Sequence, residues 1–254
     1  MIKRNYIGIT GFTEKKQILD TIDYINLIES EKNYMFGFLV SKRTLNFEEV
    51  KNKRYLNFKS FKELKDLMDL SSNRPNIINM IHFNTNNREF SNELIPLLKE
   101  LDTSVEAIQF NLSFIELNEY KKIRQEFPKL KLLFQLNNTI LENYSIQEIY
   151  LTLKEIKFEY MLIDLSGGKG TGLEPKHLIN YYKEFDIKNL NINLGIAGGL
   201  SSDNVSDVIK ELNKFNIDYF IDAESKLRDK LSDVYGDDIW NQNKVNEYIK
   251  HSNI

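Results

Sequence analysis

Three carboxylates and two glycine clusters hold most of the chemistry this sequence can offer. Asp164 follows Tyr160-Met161-Leu162-Ile163 and Asp222 follows Tyr219-Phe220-Ile221, so each stands where a short apolar run ends. Glu224 has the side-chain parity of Asp222, which lets both face one side of a strand. A carboxyl so placed can give or take a proton; the structural alternative is a cap on loop amides, for Asp164 on the glycine loop that follows it. Leu194-Gly195-Ile196-Ala197-Gly198-Gly199-Leu200 is an apolar strand ending in a glycine pair, and Ser202-Asp203-Asn204-Val205 then reads as a helix start. Backbone N–H groups bared at such a turn can hold a phosphate without side-chain charge. The second cluster, Gly167-Gly168-Lys169-Gly170-Thr171-Gly172, lacks the spacing of a P-loop or a dinucleotide fingerprint. It reads as a lid loop from which Lys169 can swing onto a phosphate or a carboxylate. His82, in Ile81-His82-Phe83-Asn84, belongs to the residue type that titrates near neutrality, unless it is a hydrogen-bonded core residue. Arg43, after Ser41-Lys42, offers a guanidinium suited to bidentate capture of an anionic group, or is a solvated loop cation.

Positioning these groups falls to a regular alternation of short apolar runs with helical patterns. Strands are expected at 6–10, 34–40, 77–83, 107–111, 130–136, 160–165, 190–196 and 219–222. Helices are expected near 14–29, 60–70, 90–101, 115–126, 146–156, 175–184, 202–214 and 226–234, with capping boxes at Ser60-x-x-Glu63 and Ser145-x-x-Glu148. Ser202 or Asp203 could cap the helix after the glycine pair. Eight β/α repeats without a linker predict an α/β fold, a (β/α)8 TIM barrel, with one domain over 1–254. The barrel should occupy about 4–235 and an extra C-terminal helix about 236–254. A doubly wound open sheet is the competing architecture. The repeat count and the phosphate-type strand ends in the last quarter of the chain favour the closed barrel. The apolar residues Ile239, Trp240, Val245, Tyr248 and Ile249 of the extension could cap the barrel or form a dimer face, leaving monomer and homodimer both open. Tyr6, with the parity of Gly8 and Thr10, is expected to fill a barrel layer.

Charge is balanced at 34 basic and 37 acidic residues, mixed throughout, which argues against nucleic acid or a membrane surface as a partner. The absence of cysteine excludes disulfides, thiolate metal sites and a cysteine nucleophile, and three dispersed histidines without His-Glu-x-x-His argue against a transition metal. No run approaches the roughly 18 apolar residues of a membrane span, and the first residues carry no signal-peptide pattern. The expectation is a cytoplasmic globular protein with no metal and no cofactor.

Several strand ends together resemble the phosphoribosylanthranilate isomerase family, a barrel enzyme of tryptophan synthesis. Gly8-Ile9-Thr10-Gly11-Phe12-Thr13 is similar to its first-strand Lys-Ile-Cys-Gly-Leu-Thr. Gly37-Phe38 with Ser41-Lys42-Arg43 resembles the second-strand Gly-Phe and Ser-x-Arg, and Ile108-Gln109-Phe110-Asn111 resembles the fourth-strand Val-Gln-Leu-His. Leu162-Ile163-Asp164 with the Gly167–Gly172 loop is similar to the sixth strand, and Ala197-Gly198-Gly199-Leu200 with Asn204-Val205 to the seventh. Asp222 and Ser225 resemble the eighth, Val-Asp-Val-Ser-Ser-Gly. The resemblance implies an Amadori-type aldose–ketose isomerisation of a phosphorylated sugar derivative. It implies Asp164 as general acid and Arg43 on a second anionic group. It places phosphate on Gly198 and Gly199, near Ser225 and Asp222, with Thr10, Asn111 and Lys169 also in substrate binding. Thr10 stands where the family has its cysteine base, Gly8 where it has lysine and Asn111 where it has histidine. A threonine hydroxyl is too weak an acid to replace a thiolate, so Glu224 or His82 would have to move the proton. Another phosphosugar lyase or epimerase, or a non-catalytic barrel that binds a phosphorylated ligand, are the alternative readings.

Overall fold

A computed structural model describes residues 5–166, 175–185 and 187–254. The Gly167–Gly172 loop with Lys169, and the side chain of His177, lie outside the described residues. Eight parallel strands close into a barrel in chain order: β1 (Ile7–Thr10), β2 (Tyr34–Ser41), β3 (Ile77–Asn84), β4 (Ala107–Phe110), β5 (Lys131–Leu136), β6 (Tyr160–Ile163), β7 (Asn193–Ile196) and β8 (Tyr219–Ala223). Pairing of Gly8 with Asp222 across β1 and β8 completes the ring. Each strand is covered outside by helices and filled inside by side chains, which is why all eight read as nearly unbroken apolar runs.

The helices are α1 (Lys15–Leu27), α2 (Lys42–Leu45), α3 (Phe61–Met68), α4 (Ser91–Leu101), α5 (Leu117–Glu126), α6 (Asn138–Asn143), α7 (Ile146–Ile156), α8 (Pro175–Glu184), α9 (Ile187–Leu190), α10 (Val205–Asn213) and α11 (Gln242–Ser252). Ser145 and Glu148 form the expected reciprocal box at the start of α7. At α3 only the Ser60 half forms, because Glu63 turns to the Lys59 N–H instead. Asn204, rather than Ser202 or Asp203, is the residue preceding α10.

Inside the barrel, Tyr6, Met35, Ile78, Met80, Leu133, Tyr160 and Phe220 form a packed plug below the strand ends. Tyr6 fills its layer, stacked on Phe220 with ring centroids 4.5 Å apart. Gly195 is a packing requirement of that plug, since a Cβ there would overlap the Phe220 ring.

The segment after β8 differs from the sequence expectation. The helix expected over 226–234 does not form; a 3-10 turn (Ser225–Leu227) leads into an antiparallel hairpin of β9 (Arg228–Lys230) and β10 (Asp238–Trp240). Gly236, at φ +78°, turns the hairpin, and buried Arg228 is bonded to Asp238 across its base. The terminal helix α11 then packs between α10 and α1, in the place of an eighth barrel helix. Val245, Tyr248 and Ile249 are fully buried there and cover the barrel, whereas Ile239 is exposed and Trp240 half-buried.

Candidate functional site

A cleft of about 730 Å³ opens at the carboxyl ends of the strands. Its wall carries Asp164 after β6, Gly198 and Gly199 after β7, Asp222 at the end of β8, and Glu224 and Ser225 just beyond. His82, Gln109, Asn111 and Gln135 line the opposite side, from β3 to β5. This is the face on which barrel enzymes work, because loops there can vary while the strands hold them rigidly.

On the β1–β2 side, glycines create space for polar groups. Thr10 Oγ1 donates to Asp222 Oδ1 at 2.9 Å, with both residues buried. A Cβ on Gly8 would stand 2.6 Å from that same Asp222 oxygen. A Cβ on Gly37 would overlap Thr10 Oγ1 and lie 2.9 Å from His82 Nε2. The small residues of the first and second strands therefore admit Asp222, Thr10 and His82 to one layer.

The electrostatics of that layer follow from burial. Desolvation raises Asp222, the Thr10 hydrogen bond lowers it, and repulsion from Glu224 and Asp164 raises it again, leaving the carboxyl at about 8. Burial pushes the His82 imidazole down to about 3, and its Nε2 has no hydrogen-bond partner among the described residues. His82 is thus an uncharged imidazole at neutral pH, which does not suit it to carry a proton.

Glu224 is not free to act alone. Its Oε1 accepts from Arg54 Nη1 at 2.9 Å, and Arg54 also bonds Asp238 at 2.5 Å. Burial raises the Glu224 carboxyl, while Arg54 and Arg228 pull it down. Arg228 bonds Asp238 Oδ1 at 2.6 Å and donates to the Gly11 carbonyl at 3.0 Å. Two guanidiniums and two carboxylates thus tie the loop after α2 to the β9–β10 hairpin and to the end of β1. Tyr235 lies across the Arg54 guanidinium, 4.7 Å from ring centroid to Cζ.

Asp164 gathers donors. Its Oδ1 accepts from the Ser166 N–H at 3.0 Å and the Ser166 hydroxyl at 2.6 Å, and its Oδ2 from Gln135 Nε2 at 3.3 Å. A Cβ on Gly198 would stand 2.9 Å from Asp164 Oδ1, so the glycine-pair turn rests directly against this carboxylate. Gly198 and Gly199 both take positive φ, +100° and +106°, a region open to glycine. Asn204 pins the turn by donating to the Gly199 carbonyl and accepting from the Ser201 N–H, each at 2.9 Å.

The other expected site residues fall as follows. Asn111 and Ser225 line the cleft half-buried. Asp222, expected near the phosphate, is instead buried between Thr10 and Gly8 in the floor. Arg43 reaches the cleft, but its guanidinium pairs with Glu48 at 3.3 Å and the Glu49 carbonyl at 3.0 Å. Lys42 pairs with Glu93 at 3.2 Å. Every cation that lines the cleft among the described residues, Arg54 included, is therefore already ion-paired. Sequence reasoning missed Arg54, Tyr55, Tyr235 and Gln135. Only Gln135 left a signal, an amide inside the apolar run Leu132-Leu133-Phe134-Gln135-Leu136. Among the described residues, no group of three or more His, Cys, Asp or Glu could hold a metal ion, and no helix is long and apolar enough to cross a membrane.

No protein-family model matches the chain. It is 29% identical over 126 residues to the N-(5'-phosphoribosyl)anthranilate isomerase of Methanococcus vannielii, a match covering 48% of this chain and 50% of that protein. The similarity thus spans about half the length of the curated relative. Among solved structures, a mutant tryptophan synthase α-subunit from Pyrococcus furiosus superposes with a TM-score of 0.59 at 13% identity, covering 87% of this chain and 86% of that one. The catalytic domain of a Pyrococcus furiosus chitinase superposes with a TM-score of 0.60 at 11% identity, over 99% and 96% of the two chains. A protein from Aquifex aeolicus gives 0.59 at 11% identity, over 99% and 91%. These neighbours share the TIM barrel, and the differences in their names show how little that fold alone says about chemistry.

Proposed function

We propose that this barrel is an aldose–ketose isomerase acting on a phosphorylated aminosugar. The observation that carries the reading is that a glycine-pair turn of the phosphate-holding kind and two carboxyl groups in different environments open on one cleft. The half-length similarity to a protein named N-(5'-phosphoribosyl)anthranilate isomerase supports the substrate class.

In this reading the phosphate sits on the backbone of Gly198 and Gly199, beside Ser225. Asp164 protonates the ring oxygen as the C1–O bond opens, leaving a C1–nitrogen double bond. Asp222 then takes the proton from C2, and the enolamine so formed becomes the aminoketose. Asp222 is the better base than Glu224, whose Oε1 is bonded to Arg54, or than His82, held too weakly basic by burial. Thr10 keeps a role at the family's cysteine position by holding Asp222 in place. The raised Asp222 carboxyl suits proton abstraction from carbon better than an ordinary carboxylate, since a base works best with a pKa near the working pH.

The test is turnover of freshly made N-(5-phosphoribosyl)anthranilate and N-(5-phosphoribosyl)anthranilamide by the purified protein. Ketose formation that falls about 10²–10⁴-fold in both Asp164→Asn and Asp222→Asn is expected. Turnover of neither compound, together with no binding of inorganic phosphate or ribose 5-phosphate, would overturn the reading.

A further inference from the structure

Across the barrel from the glycine-pair turn, β3, β4 and β5 present a row of uncharged polar side chains to the cleft. β8 and β4 stand four strands apart in a ring of eight, as do β7 and β3, so a ligand anchored after β7 and β8 extends its far end toward this row. The row is joined by hydrogen bonds. Gln109 Nε2 donates to Gln135 Oε1 at 2.9 Å, and Gln135 Nε2 donates to Asp164 Oδ2 at 3.3 Å. His82 is the register neighbour of Gln109 on β3.

The direction of this row is set at one end. Three donors converge on Asp164, the Ser166 N–H and hydroxyl on Oδ1 and Gln135 Nε2 on Oδ2. Gln135 turns its NH₂ to Asp164 and its oxygen to Gln109. Gln109 in turn must give its NH₂ to Gln135, and its own oxygen is left over. Gln109 Oε1 is buried without a partner in a residue 4% exposed, and so is His82 Nε2 in a residue also 4% exposed. Buried polar atoms are rarely left unsatisfied, so an unpartnered one on a residue that lines the cleft points to a ligand group there. An orphaned carbonyl oxygen needs a donor. A carboxylate at this point would meet the lone pairs of the Gln109 oxygen, and each cation that lines the cleft among the described residues already has a carboxylate partner.

We infer that the end of the substrate remote from the phosphate carries a neutral hydrogen-bond donor, a hydroxyl or an amide or amine N–H, and not a carboxylate. Gln109 is the residue that selects it, in an orientation imposed by Asp164 through Gln135. The inference rests on the phosphosugar reading above and narrows its substrate class from aryl carboxylate to a donor-bearing neutral group.

The experiment measures binding of two stable aminoketose phosphates by titration calorimetry, with ribose 5-phosphate as reference. The pair, 1-(2-carbamoylanilino)- and 1-(2-carboxyanilino)-1-deoxyribulose 5-phosphate, differ only in the ortho substituent. The carboxamide is expected to bind at least about tenfold more tightly, the ratio set by one mismatched buried hydrogen bond. Gln109→Met should remove that preference by deleting the acceptor. Asp164→Asn should remove it too, because an amide at 164 lets Gln135 and Gln109 turn over. Retained binding of ribose 5-phosphate shows that each variant is folded. Equal or tighter binding of the carboxylate by the native protein, or a preference that survives Gln109→Met, overturns the inference and leaves the phosphosugar reading standing. Loss of ribose 5-phosphate binding in the native protein itself would overturn both.

Discussion

Thr10 Oγ1 donates to Asp222 Oδ1 across the β1–β8 seam, and this hydrogen bond is the centre of the cleft floor. Its hydroxyl cannot act as a thiolate, yet it partly offsets the cost of burying the carboxyl beside it. The position that a base occupies in the resembled family here holds a donor, and the carboxyl it serves belongs to the next strand of the ring.

The first expected outcome concerns pH. The Asp222 carboxyl lies near 8 in the folded protein against 3.8 when unperturbed, so the folded state binds its proton more tightly than the unfolded state does. Its contribution to stability is fully present below about pH 4 and is lost as pH rises toward and through 8, with a slope of at most about 1.4 kcal/mol per pH unit. Asp222→Asn removes the ionisation and should gain on the native protein in melting temperature as pH rises across that window. A constant difference between the two proteins from pH 5 to 9 would contradict it. If Asp222 is the base, the limb of the pH–rate profile that belongs to the base is a rise centred near 8. Thr10→Val moves that rise to higher pH, because the lost hydrogen bond was lowering the carboxyl.

Two barrel glycines should rank in a definite order on substitution. A Cβ on Gly37 overlaps the Thr10 hydroxyl, which can turn, and crowds His82 Nε2. A Cβ on Gly195 overlaps the Phe220 ring, which is held by stacking on Tyr6 and an edge contact with Tyr160. Gly37→Ala is expected to cost about 1–3 kcal/mol, the usual range for overpacking, and Gly195→Ala more. Urea unfolding of the two variants measures this, and the reverse order would mean that the plug is looser than its ring contacts imply.

The strands and the strand-end carboxylates were readable from the chain because the causes are local. A parallel strand buried on both faces has little room for polar residues, so Asp164 and Asp222 stand out where the apolar runs stop. Arg54 was not readable, since Lys51-Asn52-Lys53-Arg54 has the composition of a solvated loop. Its burial comes from Asp238 and Glu224, 184 and 170 positions away, and no window along the sequence contains both ends. The β9–β10 hairpin was missed for a related reason. Leu227, Leu231, Val234 and Tyr235 sit at helix-like spacing, and the Arg228–Asp238 pair that favours a hairpin is a tertiary fact.

That buried network makes a prediction of its own. Arg54 is nearly inaccessible and holds both Glu224 and Asp238, so Arg54→Met leaves two carboxylates short of a partner. The expected loss is about 3–5 kcal/mol, the range for removing one member of a buried ion pair. Adding Asp238→Asn should return part of it, because a neutral amide at 238 no longer needs the lost guanidinium and its oxygen can still accept from Arg228. Chemical denaturation of the single and double variants decides the matter. A double variant no more stable than Arg54→Met would mean that the lost stability comes from packing against Tyr235 rather than from stranded charge.

Gly198 links the glycine-pair turn to Asp164, and its replacement should affect both. At φ +100° an alanine is strained, and its Cβ would stand 2.9 Å from Asp164 Oδ1 and 3.0 Å from the Ser166 Cβ. Relief requires the turn or the carboxylate to move, and a positive φ at a non-glycine residue costs on the order of 1–3 kcal/mol. In Gly198→Ala, stabilisation by inorganic phosphate should weaken, because the turn that carries the backbone N–H groups is displaced. The Ser166 hydrogen bonds to Asp164 should loosen in the same variant. A thermal-shift titration with phosphate reads the first effect, and hydrogen exchange at the Ser166 amide reads the second. If phosphate stabilisation fell while Ser166 stayed protected, the turn and the carboxylate would be separate devices that share a cleft. If both changed together, the anion site and Asp164 would be one mechanical unit, so that binding the phosphate also sets the carboxylate at the sugar.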